Sequence, residues 1–173
     1  MNLKKFTECN KTVCLYENED DTSKFNCGFL SAIEDNELLI ENVTSSGEYD
    51  GYIAFLADKI YKVQQDSEYN RKIEKLYQIK KQHHQHIVCN QSIFKSVLKF
   101  AQTNGFAVTL RFYDSNYDDL QGFVVALDED ILTVEEVDTY GRPDGISDID
   151  INSITKIYCD TADEHNYKLL KEM

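Results

Sequence analysis

GFLSAIEDNELLIENVTSSGEYDGYIAFLADKIYKV, residues 28–63, lies without a gap on GFVVALDEDILTVEEVDTYGRPDGISDIDINSITKI, residues 122–157, when the chain is slid past itself by 94 positions. Eleven of the 36 positions are identical, among them Gly28/Gly122, Phe29/Phe123, Glu41/Glu135, Gly47/Gly141 and Gly51/Gly145. Conservative pairs such as Ile33/Leu127, Ile40/Val134 and Val63/Ile157 reinforce the match. Two copies at so long a period do not make a solenoid, because each unit must bury an apolar face of its own. The pattern reads as a tandem duplication of one small fold. Past this stretch, Tyr69 echoes Tyr167 if four residues are inserted.

Each copy reads mostly as strand. Residues 107–113, AVTLRFY, alternate and are rich in β-formers. Residues 121–127 follow, then the acidic turn Asp128-Glu129-Asp130, then 131–137. Gly141-Arg142-Pro143-Asp144-Gly145 has turn chemistry, and Ile149, Ile151, Ile154 and Ile157 space the last strands. Residues 13–16, 25–33, 37–43 and 51–63 match them in the first copy. Four or five short strands with tight turns predict a small, strongly bent sheet or barrel.

Helical periodicity fills the interval between the copies. Over 67–82, Tyr69, Ile73, Leu76 and Lys80 share one face, with Asp66 or Ser67 as N-cap. Over 91–103, Ile93, Phe94, Val97, Leu98, Phe100 and Ala101 form a wide apolar stripe. Asn90 is the expected N-cap there and Asn104-Gly105 the terminator. Shorter helices are expected at 3–9 and from Asn166 onward. The expected organisation is therefore a first module at 1–66, a helical hairpin with a His-rich loop at 67–104, and a second module at 105–173.

A helix followed by a bent sheet, with a glycine in the second strand and an acidic turn into the third, resembles the Sm-like fold. The residues that carry the resemblance are Val108-x-Leu110, Gly122-Phe123-Val124-x-x-Leu127-Asp128, Leu132-Thr133-Val134, and Ile149, Ile151, Ile154 and Ile157. In the first copy they are Val13-x-Leu15, Gly28-Phe29-Leu30-x-x-Ile33-Glu34, Leu38-Leu39-Ile40, Ile60 and Val63. The resemblance implies an α+β, β-rich chain of two tandem Sm-like sheets or barrels, with RNA binding and ring assembly as the family's activities. Sm-like RNA binders carry an Asn just after the acidic residue of the turn between the second and third strands. Here the turns read Glu34-Asp35-Asn36-Glu37 and Asp128-Glu129-Asp130-Ile131, so only Asn36 is a loose match. The expected Arg-Gly or Lys-Gly of the last loop is replaced by Leu56-Ala57-Asp58-Lys59 and Asp150-Ile151-Asn152-Ser153. The resemblance implies the fold more than the activity.

Charge bears on partners. The 173 residues hold 18 Lys plus Arg against 31 Asp plus Glu, a formal net charge of −13. Residues 1–66 carry 6 basic and 13 acidic side chains, residues 67–104 carry 7 and 2, and residues 105–173 carry 5 and 16. Phosphate backbones need Lys and Arg to displace their counterions, so the two acidic modules should repel nucleic acid. The remaining nucleic-acid candidates are Arg71, Lys72, Lys75, Lys80 and Lys81 on the connector helix, read otherwise as a solvated or internally docked face.

Catalytic and metal chemistry finds little support. His83, His84, His86 and Cys89 include soft zinc ligands, but all come from one short stretch with no second ligand pair, as a polar loop would give. The carboxylates Asp118-Asp119, Asp128-Glu129-Asp130, Glu135-Glu136 and Asp148-x-Asp150 lie at turns and strand ends, and no spacing singles out an acid–base pair. A calcium loop at 114–118 would lack the EF-hand pattern. No nucleophile elbow, C-x-x-C or phosphate loop occurs. Cys14 and Cys27 fall in strands as small buried hydrophobes. The eleven tyrosines suit either interfaces or the walls of small barrels.

The expected protein is non-catalytic, without cofactor or metal. It is an adaptor that binds an unidentified protein, or copies of itself, through sheet edges and acidic or Tyr-bearing loops. The alternatives are single-stranded nucleic-acid binding through the connector helix, an acidic DNA mimic acting as an inhibitor and, further off, a metal-dependent hydrolase. Five cysteines without paired spacing, and an N-terminus lacking the apolar core of a signal peptide, point to the reducing cytoplasm; no apolar run approaches a membrane span.

Overall fold

The computed structural model describes residues 1–7, 10–113 and 120–173, and there the chain is an α+β protein rich in strand. It divides between His86 and Ile87 into the units Met1–His86 and Ile87–Met173. No helix among the described residues is long and apolar enough to cross a membrane.

In the first unit a 3-10 turn, Leu3–Phe6, precedes β1 (Thr12–Tyr16), β2 (Asn26–Glu34), β3 (Glu37–Val43) and β4 (Tyr49–Leu56). A 3-10 turn at Ala57–Lys59 leads into β5 (Lys62–Gln65), and α1 (Glu68–Ile79) ends the ordered elements. The sheet is antiparallel in the order β5-β1-β2-β3-β4. Its register slips between Leu30 and Ala32 and again between Glu41 and Val43, and such bulges bend and twist a strand. At Gly28, β2 lies hard against β3: a Cβ there would sit 2.0 Å from the Glu41 carbonyl oxygen. That approach is why the position has no side chain. Ile73 of α1, fully buried, packs with Cys14, Tyr16, Cys27 and Val43, which fixes the helix on the sheet.

The second unit comprises α2 (Ile93–Asn104), β6 (Ala107–Phe112), β7 (Leu120–Asp128), β8 (Ile131–Val137) and β9 (Pro143–Asp150). After a 3-10 turn at Ile151–Ser153 come β10 (Ile154–Cys159) and α3 (Ala162–Glu172). Its strands run β10-β6-β7-β8-β9, all antiparallel. The register slips at Val124/Ala126 and Glu135/Val137, and a Cβ on Gly122 would lie 2.3 Å from the Glu135 carbonyl oxygen. Tyr167 of α3 packs on Ala107, Phe123 and Val137.

Several expectations change. Neither strand order closes on itself, so each unit is an open sheet and not a barrel; each 3-10 turn delivers the last strand to the free side of the first. The helices expected to form one connector at 67–104 are divided. The apolar face of α1 packs on β1 of the first unit, and α2, with Ile93, Val97, Leu98 and Ala101 fully buried, packs on β6, β7 and β10 of the second. Pro143 to Gly145 opens β9 and does not belong to the turn. That turn closes earlier, on Asp138, whose carboxylate accepts from the amides of Tyr140 and Arg142. Proline tolerates the first place of an edge strand because no ladder bond needs its missing N–H. The C-terminal helix begins at Ala162, ahead of Asn166, and no four-residue insertion is needed. Asp66 (φ 58°) and Asp160 (φ 54°) both turn the chain into the helix, 94 positions apart. At the N-terminus only the short 3-10 turn is seen, and Cys9 lies outside the described residues.

The cap of α2 is Ser92, whose hydroxyl accepts from the Lys95 amide at 3.2 Å, and not Asn90. Ser92→Ala is therefore expected to lower stability by about 1 kcal/mol in urea titration, and Asn90→Ala to leave it unchanged. The reverse ranking would return the cap to Asn90.

Candidate functional site

The five nucleic-acid candidates, all in the first unit, are unequally available. Arg71 donates to the Asp66 carbonyl and to Glu68, both at 2.6 Å, and Lys80 pairs with Glu48 at 2.8 Å. Lys81 is the exposed residue after the helix, in the left-handed region at φ 52°. Lys72 and Lys75 are exposed on α1. A phosphate-binding stripe of five is thus reduced by two internal ion pairs.

The loops where the resemblance implies RNA contacts are occupied by their own unit. Asn36 Oδ1 accepts from the Asp58 amide at 3.0 Å, and its carbonyl accepts from Ala57 at 2.8 Å. In the second unit the Asp130 carbonyl accepts from Ile151 at 2.9 Å while its carboxylate holds Lys95 at 2.8 Å. Both turns clamp the 3-10 turn before the last strand. Other carboxylates have partners in their own unit: Asp148 is held by Thr133 at 2.6 Å, Glu135 by Lys171 at 2.7 Å, Asp150 by the backbone and side-chain amides of Asn152 at 2.9 and 3.1 Å, and Glu136 by Ser147. Asp118-Asp119, Tyr117 and the loop 114–118 lie outside the described residues.

The histidine stretch packs as a strap along the first unit. His84 is buried, with Nε2 donating to the Gly51 carbonyl at 3.0 Å and Nδ1 accepting from the Tyr77 hydroxyl at 2.7 Å. Tyr49, Tyr52 and Tyr77 surround the imidazole with ring centroids at 4.5, 5.4 and 5.8 Å. Tyr52 donates to the Gln85 carbonyl at 2.6 Å, and Gln82 accepts from the Tyr49 amide at 2.8 Å. With both ring nitrogens engaged, His84 is a packing element and not a ligand. No group of three or more His, Cys, Asp or Glu among the described residues is placed to hold a metal ion. Burial pushes the imidazole down to about 4 and the Tyr77 phenol up to about 12. Burial also raises the Glu41 carboxyl to about 7.

Two features went unread in the sequence. One is a polar cavity of about 340 Å³ in the first unit, walled by Phe25, Cys27, Asn42, Asp50 and Tyr69. Asn42 donates to Asp50 at 2.8 Å there. The other is the outer face of β9, at one end of the second unit's strand order, almost wholly exposed and carrying Asp144, Ile146, Asp148 and Asp150. Ile146 is 71% exposed, and Tyr140 in the preceding turn is 70% exposed with Arg142 over its ring. An apolar side chain on an edge strand is a signal the sequence contains, but the turn chemistry of 143–145 masks it. Comparison of the chain with protein-family models, with curated proteins and with solved structures finds no match.

Proposed function

We propose that this is a non-catalytic interaction protein of two tandem Sm-like modules, and that it binds an extended segment of a partner protein along the edge strand β9. The observation that carries the reading is the exposure of β9 with Ile146 and Tyr140 beside it. Edge strands are normally blunted, whereas this one offers backbone groups, two large apolar side chains and three carboxylates. An added strand would bond to the backbone, and the acidic side chains favour Lys or Arg at alternate positions of that segment. The Sm-like reading is supported by the repeated strand order and by the two glycines set against equivalent carbonyls.

The test sets two variants against two ligands. Ile146→Lys is expected to abolish capture of the partner protein, and Lys72→Glu with Lys75→Glu to leave it intact. Labelled mixed-sequence single-stranded RNA is expected not to bind at micromolar protein. RNA binding that weakens about sevenfold between about 50 and 200 mM salt, as two phosphate contacts would give, and that disappears in the lysine variant would overturn the reading in favour of α1.

A further inference from the structure

Cys14 and Cys27 stand directly opposite each other on the antiparallel pair β1–β2. Opposed residues in such a ladder have Cα atoms about 4.5–5.5 Å apart and side chains on one face, inside the roughly 4.4–6.8 Å span that a disulfide bridges. Both are buried, in one cluster with Tyr16, Val43 and Ile73. Their surroundings differ. Asn70, fully buried at the start of α1, reaches the Cys14 sulfur with Nδ2 at 3.6 Å while also bonding the Thr12 carbonyl and hydroxyl at 3.1 Å. A hydrogen bond from the Cys27 thiol, with help from Asn70 and the Lys62 charge, holds Cys14 below the ordinary thiol range, and Cys27 is correspondingly raised. The first thiolate therefore forms at Cys14. Cys27 lines the 340 Å³ polar cavity together with Ser23, Asn26 and Asp50, a volume that holds a small polar oxidant.

The second unit has Thr109 opposite Gln121 in the corresponding rungs, so the dithiol belongs to the first unit alone. Cys159 is completely buried and its thiol is pushed well up, which leaves it inert.

We propose that Cys14 and Cys27 form a redox couple that closes to a cross-strand disulfide when hydrogen peroxide enters the cavity. Cys27, which borders the cavity, passes its thiol proton along the hydrogen bond to Cys14 and attacks one peroxide oxygen, breaking the O–O bond and releasing hydroxide, and becomes a sulfenic acid. The Cys14 sulfur then attacks the Cys27 sulfur, the S–O bond breaks, and water leaves with the Cys14 proton. In sum two thiols give up two electrons and two protons, and the peroxide becomes two waters. A low-molecular-weight thiol reverses the step by exchange. The couple is independent of the β9 surface.

The test treats reduced, folded protein with one equivalent of hydrogen peroxide, alkylates it, and maps the peptides without reduction. Cleavage after Lys11, Lys24 and Lys59 puts Cys14 and Cys27 on separate peptides. The expected result is one major linked species joining those peptides, lighter by two hydrogens, with two of the five thiols lost from a thiol titration and restored by dithiothreitol. Cys89→Ser is expected to give the same link and Cys14→Ser none. The proposal is overturned if both peptides are recovered alkylated while other cysteines oxidise, or if the link forms only in urea.

Discussion

Gly28→Ala is expected to lose about 3 kcal/mol of stability, a large fraction of what a small domain has. The added methyl would meet not a movable side chain but backbone: the Glu41 carbonyl oxygen at 2.0 Å and its carbon at 2.8 Å. Relief requires β2 and β3 to part, which breaks the ladder from Gly28–Asn42 to Leu30–Ile40 and opens the core behind Leu38 and Ile40. Gly122→Ala repeats the experiment in the second unit, against Glu135 and a Val134 methyl at 2.6 Å. Urea titration followed by far-ultraviolet circular dichroism measures both. Either variant within about 1 kcal/mol of wild type would mean that the strands can part at little cost, and that the close approach is not what excludes a side chain.

The second large effect is in pH dependence, where two buried groups act in opposite directions. His84 has a folded value near 4 against 6.5 when unfolded, so the unfolded chain binds the extra proton and stability falls as pH drops from about 6.5 to about 4. The full span is worth about 3 kcal/mol. Glu41 has a folded value near 7 against 4.5, so its contribution is intact below 4.5 and is lost as pH rises toward 7. Its part is smaller, since the carboxyl keeps some contact with water. In the wild type the two slopes partly cancel. Glu41→Gln is expected to expose the His84 slope and to be more stable than wild type at pH 8 by about 1 kcal/mol. His84→Ala is expected to cost about 3 kcal/mol at pH 7, because the Tyr77 hydroxyl and the Gly51 carbonyl lose their partner and a cavity opens. Urea titrations between pH 4 and 8 check all three; a flat profile for Glu41→Gln would place the acid sensitivity elsewhere than His84.

The contrast at Glu41 shows what a repeat can and cannot reveal. At the corresponding place in the second unit Glu135 is paired with Lys171 at 2.7 Å, whereas Glu41 faces Tyr77. The repeat shows the shared glutamate but not the change of partner, because matching Tyr69 to Tyr167 by a four-residue insertion takes Lys171 out of line with Tyr77. Strands are legible because alternation reports one buried face directly, and 37–43 and 131–137 coincide with β3 and β8 to the residue. Turn limits were less so: Pro143 to Gly145 carry turn chemistry yet form an edge strand, since an edge asks for half as many ladder bonds. Helix ownership was illegible for a different reason. The apolar faces of α1 and α2 were evident, but amphipathicity does not say which sheet a face will meet. The Cys14–Cys27 juxtaposition follows from register, which depends on the turn between β1 and β2 and not on either strand alone.

The Tyr77–His84 contact also makes the first unit its own optical reporter. The chain has no tryptophan, so tyrosine dominates its ultraviolet emission. A phenol becomes a far stronger acid when excited, and Tyr77 holds its hydroxyl 2.7 Å from a neutral imidazole nitrogen ready to take the proton. That transfer is expected to darken the ring while the strap is docked. Undocking of residues 82–86 should therefore register as a gain of tyrosine light, with no label attached and no residue changed.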